Sequence, residues 1–441
     1  MRDALLKGNL ITKLSFLIMG LGNICRKQVV KGLLFLAVEA AFIFYMLMTG
    51  AGCLVDLVRL GGKEQQEVWN EALGIYQYTQ GDNSLLMLLY GVNTIFICVG
   101  FLLFWRESVK SSYKAEVRLK EGKHLNTFAE DYKSLFNSNL HRLLLTCPVL
   151  GIIIFTILPL VFMISMAFTN YSKVDNHLIL FNWVGLKNFE RIINIHDSFG
   201  QTFWSVLGWT LIWAILATGL NYILGMILGI VINRKQTKFK SFWRFCFILS
   251  IAIPQFVSLL VIRSMLKSDG IVNVMLKNAG LISKSLPFFS NATWARVTVV
   301  LVNLWIGIPY TLMQVTGILQ NIPVELYEAA KVDGAGPVKT FFKITLPYMI
   351  FVTTPYLITT FTANINNFNV IYLLTKGEPI EAGATAGKTD LLVTWLYKLT
   401  IEYQYFNLGA VIGIMTFIIL AIGSLLVYRR TKSYKDEEGF Q

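Results

Sequence analysis

Charge is scarce in this sequence. Only 15% of its 441 residues are Asp, Glu, Lys or Arg, where a soluble globular domain carries about 25%. Together with 55% hydrophobic residues and a mean hydropathy of +0.57, that shortage excludes a water-soluble protein of two or three domains. Cysteine is rare as well. The five, at positions 25, 53, 98, 147 and 246, form no CxxC pair and no disulfide framework. The four histidines, His124, His141, His177 and His196, fall in loops and lack metal-ligand spacing. No cleavable signal pattern is expected, because about thirty residues precede the first apolar run and no small-residue cleavage site follows it.

Long apolar runs are what the sequence has. Eight stand out, at roughly 31–49, 85–105, 144–168, 203–232, 243–266, 295–319, 348–373 and 408–428. Each is long enough to cross a bilayer, and backbone groups in lipid must be bonded within their own segment, so each is read as a helix. The fourth is long enough to tilt or to extend beyond the membrane.

Basic residues collect on alternate connections. Arg2, Lys7, Lys13, Arg26, Lys27 and Lys31 precede the first run, segment 106–143 is rich in Lys and Arg, and Arg234, Lys235, Lys238 and Lys240 follow the fourth. Arg429, Arg430, Lys432 and Lys435 follow the last. The connection after the first run is instead acidic, with Asp56, Glu64, Glu67, Glu71 and Asp82 against Arg59 and Lys63. Positive charge marks the cytoplasmic side. Both termini are therefore expected in the cytoplasm, and the net charge of +13 is an orientation signal rather than a nucleic-acid surface. The expected fold is all-α, a polytopic membrane protein with eight transmembrane helices. Residues 1–143 hold a cytoplasmic segment, two accessory helices and a basic loop. Residues 144–430 hold a six-helix unit, and 431–441 a cytoplasmic tail.

Polar groups inside a span are costly and tend to be functional. Those in the six-helix unit are mostly neutral: Asn221, Gln255, Asn303, Gln314, Asn364, Asn366, Asn367 and Asn369, with Arg263 the exception. Carboxylates and histidines that could relay protons are nearly absent there, which disfavours a proton-driven secondary carrier. Glu39 in the first run is read as a carboxylate bonded within a helix pair. No nucleophile–base or metal set supports an enzyme. Gly383-Ala384-Thr385-Ala386-Gly387-Lys388-Thr389 imitates a phosphate-binding loop, but three residues rather than four separate its glycines and no strand precedes it. No nucleotide or other cofactor is expected on this chain, so any ATP and magnesium would be used by another polypeptide.

The segment between the sixth and seventh runs is the most informative. It reads Asn321-Ile322-Pro323-Val324-Glu325-Leu326-Tyr327-Glu328-Ala329-Ala330-Lys331-Val332-Asp333-Gly334-Ala335-Gly336-Pro337 and ends at Ile344-Thr345-Leu346-Pro347. Pro323 suits the first turn of a short helix, Glu325 and Glu328 lie near its positive end, and Ala329 and Ala330 offer a small surface for close approach. Asp333-Gly334 is a turn signal, and Pro337 can open a second short helix carrying Phe341, Phe342 and Ile344. Glu-Ala-Ala, then Asp-Gly-Ala, then Ile-x-Leu-Pro at this spacing resembles the EAA loop of permease subunits of ABC importers. The resemblance implies that Glu328, Ala329, Ala330, Asp333 and Gly334, within a loop spanning 321–347, couple the membrane part to an ATPase.

Most of 140–430 is similar to the larger permease subunit of maltose/maltodextrin importers, the MalF type. That resemblance implies a type I importer fold: a six-helix core plus two N-terminal helices. It also implies a second homologous permease, an ATPase dimer, an external solute-binding protein, a bacterial plasma membrane and an oligosaccharide substrate. Two departures stand out. The large extracellular domain of the Gram-negative protein, expected near 169–202, is missing, and Ala363 and Ile365 replace aromatic residues.

Carboxamides suit a neutral polyol because each both donates and accepts without a charge. Asn364 and Asn367 are three apart and are expected on one helix face, with Thr360 four before Asn364. Gly307 allows close approach to the backbone, Pro309 frees a carbonyl, and Tyr310 offers a ring and a hydroxyl. Polarity alone favours reading these Asn residues as bonds between helices. The resemblance implies sugar contacts at Asn364, Asn367, Thr360, Gly307 and Tyr310. By their spacing, Asn366 and Asn369 are expected on another face, in a structural role. The expected function is a permease subunit importing maltose or maltodextrin. The alternatives are another oligosaccharide or a secondary sugar carrier.

Overall fold

The structure is a computed structural model that describes residues 1–430 apart from 72, 73, 175, 176 and 235. Lys235, Lys432, Lys435 and the expected tail 431–441 lie outside the described residues. Among the described residues, seven helices are long and apolar enough to cross a bilayer: Val29–Arg59, Ser84–Lys120, Leu140–Met166, Ser198–Asn233, Ala292–Gln320, Pro337–Leu374 and Phe406–Leu426. An eighth crossing results if Lys240–Ala252 and Gln255–Asn278, bent by 88°, count as one span. Numbered in chain order with the bent pair fifth, the spans coincide with the eight apolar runs.

The bend corrects the expectation of a continuous fifth helix. Pro254 cannot donate to the helical ladder and disfavours helical backbone in the residue before it. Ile253 accordingly turns to φ −83°, ψ 125°, and a new helix starts at Gln255. Among the described residues, strands are confined to one hairpin, Glu67–Asn70 paired antiparallel with Ile75–Tyr78.

The chain packs as two compact units, Met1–Gly185 and Leu186–Gln441. In the first, short N-terminal helices lie against the extension of the second span beyond its apolar run. The guanidinium of Arg26 meets Glu116 at 3.3 Å with both side chains buried. Glu116 also accepts from the Thr12 hydroxyl at 2.6 Å and from the Asn9 backbone N–H at 3.1 Å. A buried pair is tolerable when its remaining lone pairs and protons are satisfied in this way. Glu39 is bonded, as expected, but its partner is the Met19 backbone N–H at 2.8 Å, in the N-terminal segment rather than in a helix pair.

The second unit is built on the fourth span. Trp209, Trp213 and Ala217 pack on Val299 and Val302 of the sixth span and on Val370, Ile371 and Leu374 of the seventh. Glycine sets the closeness of the fourth and sixth spans. A Cβ on Gly225 would stand 2.6 Å from Thr311 Cβ, and one on Gly229 2.7 Å from Val315 Cγ1. Small residues at a helix interface are how packing inside a membrane is gained without a hydrophobic driving force.

Candidate substrate path and coupling surface

The seventh span carries most of the candidate residues. Pro337 opens it as expected, but Pro337–Thr340 is not a separate short helix. It passes through a wider turn at Phe341–Thr345 directly into Leu346–Ile365. Phe341 then packs against the cluster of Tyr222, Met226, Val315 and Met349.

The helix stops after Ile365. Asn366 takes φ −96°, ψ 22° and Asn367 φ −76°, ψ 85°, and the span resumes as Phe368–Leu374. The Asn367 side chain caps the new segment, accepting from the Val370 N–H at 3.3 Å. Interrupted backbone at membrane depth is tolerated only where it is buried in protein or lines a water-filled cavity. Asn364 and Asn367 therefore share no helical face, which corrects the spacing argument. They do meet, through Asn367 Nδ2 donating to Asn364 Oδ1 at 3.4 Å.

Asn364 is buried. Its Nδ2 donates to Thr218 Oγ1 at 3.0 Å, and its carbonyl accepts from Trp213 Nε1 at 3.0 Å. Thr360, one turn earlier on the same side, is half-buried. Thr359 and Ala363, on the adjacent face, and Asn366 at the helix end are exposed. The Asn366 side chain has no hydrogen bond among the described residues, and exposed Asn369 donates to Gln255 at 3.3 Å. Asn366 and Asn369 are thus both exposed, but they stand on either side of the break rather than on one helical face.

In the sixth span, Tyr310 is 51% exposed and Pro309 sits buried inside the helix. Gly307 is pressed on the Asn221 carboxamide, so that a Cβ there would collide with it. Asn221 Oδ1 and Asn303 Nδ2 are buried without a partner among the described residues. None of the described hydrogen bonds joins Thr360, Gly307 or Tyr310 to Asn364 or Asn367. A cavity of about 710 Å³ lies between the fourth, seventh and eighth spans, walled by Tyr222, Phe361, Ile365 and Leu420. Its lining is hydrocarbon apart from a few hydroxyls, which offers a polyol little.

The loop between the sixth and seventh spans, expected to couple to an ATPase, forms one short helix, Val324–Val332, with Pro323 at its cap rather than in its first turn. Its end is a Schellman turn: the Ala335 N–H bonds the Ala330 carbonyl at 2.8 Å and the Gly334 N–H the Lys331 carbonyl at 3.1 Å. Gly334 holds φ +69° with open space around it, so the backbone conformation, not packing, calls for glycine. Tyr327 and Thr345 hydroxyls lie 3.1 Å apart and tie the helix to the base of the seventh span. Glu328, Ala329, Asp333 and Gly334 are exposed. Ala330, expected beside Ala329 on the surface, is buried. Val324, Val332, Val338 and Phe342 add an exposed apolar rim.

On the connection between the seventh and eighth spans, the loop that imitates a phosphate site is occupied by its own side chains. The Gly387 N–H donates to Asp390 at 2.7 Å and Lys388 pairs with Glu381 at 2.7 Å. Asp390 also meets Lys398 at 2.6 Å and accepts from Thr394 at 2.9 Å. Burial pushes the Asp390 carboxyl upward, opposed by Lys398, Gly387 and Thr394. Arg296, over the ring of Trp209 at 4.6 Å, donates to the Lys388 carbonyl at 2.9 Å. Sequence reasoning missed this network. Its one local signal is Lys398 standing alone in the apolar stretch that follows Asp390.

Residues 221–432 match the family of binding-protein-dependent transport system inner membrane components. The chain aligns at 35% identity with the maltodextrin transport system permease MdxF of Bacillus subtilis, over 96% of this chain and 95% of that one. The chain belongs to this family of ABC importer permeases. The permease is similarly close to the galactooligosaccharide permease GanP of the same bacterium, at 34% over 96% of this chain and 97% of that one. The maltose/maltodextrin permease MalF of Escherichia coli is 38% identical over 55% of this chain and 48% of its own length. Among solved structures, an ABC transporter importing the polysaccharide alginate superposes with a TM-score of 0.54 at 21% identity, over 68% of this permease and 99% of that chain. That likeness supports the fold: an all-α, multi-pass permease of the ABC importer type.

Proposed function

We propose that this permease carries a neutral oligosaccharide of the maltodextrin type across a bacterial plasma membrane, with both termini in the cytoplasm. It would act with a second homologous permease, an ATPase dimer that alone uses ATP and magnesium, and an external solute-binding protein. The observation that carries the reading is the break at residues 366–367, where uncharged carboxamides cluster around interrupted backbone inside a membrane span. Such breaks at membrane depth accompany substrate sites, and amides match sugar hydroxyls without favouring an ion. The names of the relatives support an oligosaccharide, with galactooligosaccharides as the second reading through GanP.

In this reading Asn364, Asn367, Thr360, Gly307 and Tyr310 are the sugar-contacting positions. Asn364 and Asn367 are engaged with each other and with Thr218 and Val370, so sugar binding means exchanging those partners. Asn366, exposed at the break, extends the site. The exposed side of the coupling helix, with Glu328, Ala329, Asp333 and Gly334, is the surface for the ATPase, and Ala330 serves it from behind by packing the helix down.

Uptake of labelled maltotriose and of a labelled galactooligosaccharide by the assembled transporter tests this. Asn366→Ala and Asn367→Ala should each raise the KM about tenfold, the worth of roughly one lost hydrogen bond, with assembly unchanged. Unaltered uptake of both sugars by both variants would remove the site. A KM effect on one sugar only would identify the substrate class.

A further inference from the structure

A polar concavity lies in the first unit, far in sequence from the residues above. Its volume is about 430 Å³, and its walls come from the start of the first span, the end of the second and the segment leading into the third. Five cations line it, Lys31, Lys110, Lys114, Arg118 and Arg142, against two carboxylates, Glu107 and Asp131. Both carboxylates are spent: Lys31 pairs with Asp131 at 2.8 Å and Lys110 with Glu107 at 2.7 Å. Lys114, Arg118 and Arg142 have no carboxylate partner among the described residues. Arg118 is oriented by Asn126 at 3.1 Å, and Asn126 is itself fixed by Asp131 at 3.0 Å.

The height of this concavity follows from topology. The starts of the first and third spans and the end of the second lie on one side of the bilayer, whichever way the chain is oriented. Lys31 and Arg142 stand in the first turns of their spans, Val29–Arg59 and Leu140–Met166, which puts them at the headgroup layer. Phe35, one turn deeper in the first span, completes the wall on the hydrocarbon side. Three convergent, unneutralised cations beside an apolar wall suit an anion that carries an acyl chain. Guanidinium groups present a fork that matches two phosphate oxygens, and lysine adds a point charge.

We propose that this concavity binds a phosphate ester anion, with the headgroup of an anionic phospholipid as the source that its height favours. Basic pockets between spans at the cytoplasmic side are a recurring form of headgroup recognition. The assignment to the cytoplasmic leaflet rests on the orientation proposed above. The binding itself does not, since a micelle or a symmetric nanodisc presents lipid to either side.

The test uses the full-length chain in detergent, titrated with phosphatidylglycerol, with phosphatidylcholine and, separately, with sn-glycerol 3-phosphate, and read by native mass spectrometry. The variant is Lys114→Gln/Arg118→Gln/Arg142→Gln. The control, Lys13→Gln/Lys27→Gln/Lys133→Gln, removes the same charge from exposed positions outside the concavity. Phosphatidylglycerol should bind the parent in preference to phosphatidylcholine. The variant should lose on the order of a hundredfold in affinity, roughly fivefold per cation at a membrane surface, and the control should lose little. Binding of glycerol phosphate with the same dependence on the three residues would make a soluble phosphate ester the source and keep the site. Equal losses in variant and control, or neither phosphate compound binding above phosphatidylcholine, would overturn the proposal. If the triple variant fails to unfold cooperatively in detergent, Lys114→Gln alone, which removes an exposed and unpaired cation, should still weaken binding roughly fivefold. No loss there would equally overturn it.

Discussion

Replacing Lys398 by methionine should destabilise the second unit in a way that depends on pH. In the intact protein, Asp390 receives Lys398 Nζ at 2.6 Å, the Gly387 N–H at 2.7 Å and the Thr394 hydroxyl at 2.9 Å. The two charged side chains are 0% and 2% exposed. Lys398→Met leaves a buried carboxylate with two neutral donors, and removing one partner of a buried pair costs about 3–5 kcal/mol. The carboxyl can instead take up a proton. An unfolded Asp titrates near pH ~3.9, so protonation costs about 4 kcal/mol at pH 7 and about 1.5 kcal/mol at pH 5. The sign follows from burial, which already raises the Asp390 carboxyl in the folded state. Loss of Lys398 raises it further, so the folded variant holds a proton that the unfolded chain releases, and its stability falls as pH rises. For a unit of this size the midpoint should drop roughly 8–16 °C at pH 7 and 3–6 °C at pH 5. Tryptophan fluorescence during thermal unfolding reads this, since Trp395 lies one turn from Lys398 and is fully buried. Asp390→Asn/Lys398→Met, which removes both charges and keeps an acceptor for Gly387, should recover most of the loss. Equal deficits at both pH values, or a drop under about 3 °C at pH 7, would refute the reasoning.

Two further outcomes follow from glycines. Gly334→Val places a β-branched residue at φ +69° and should reduce co-purification of the ATPase while leaving the permease in the membrane. Gly334→Asn, which tolerates that backbone, should restore much of the loss, and unchanged co-purification with valine would count against the coupling role. Gly307→Leu drives a side chain into the Asn221 carboxamide and should cost about 1–3 kcal/mol by overpacking, lowering the unfolding midpoint. Asn221→Ala in the same chain should relieve part of that cost, and a midpoint no lower in the single variant would show that the two spans part easily at this height.

Much of the architecture was legible in one dimension. Each apolar run long enough to match the bilayer became helical, the fifth as a pair bent at Pro254 and the seventh with a break after Ile365, because membrane thickness and the need to bond every backbone group act on local composition. The short helix before the seventh span was partly legible, although Pro323 caps it instead of standing in its first turn. Its cap proline, its Asp-Gly end and the left-handed turn at Gly334 are settled by neighbours a few residues away. Family membership was carried by those same residues and by the apolar pattern around them.

Side-chain partners at the candidate site were not legible. Spacing put Asn364 and Asn367 on one helical face, but the helix ends between them. Whether a helix continues through a polar stretch depends on what Trp213 and Thr218, far along the chain, offer to its exposed groups. The same holds for Ala330, which adjacency to Ala329 suggested would be exposed and which packing buried. Asp390 and Lys398 became a buried pair because the loop folded over them. Periodicity along the chain reports how a segment meets an averaged solvent, here lipid or water. Which amide turns inward, which glycine is pressed against a neighbour and which charges meet are decided by distant side chains competing for the same space, and only the tertiary structure contains that competition.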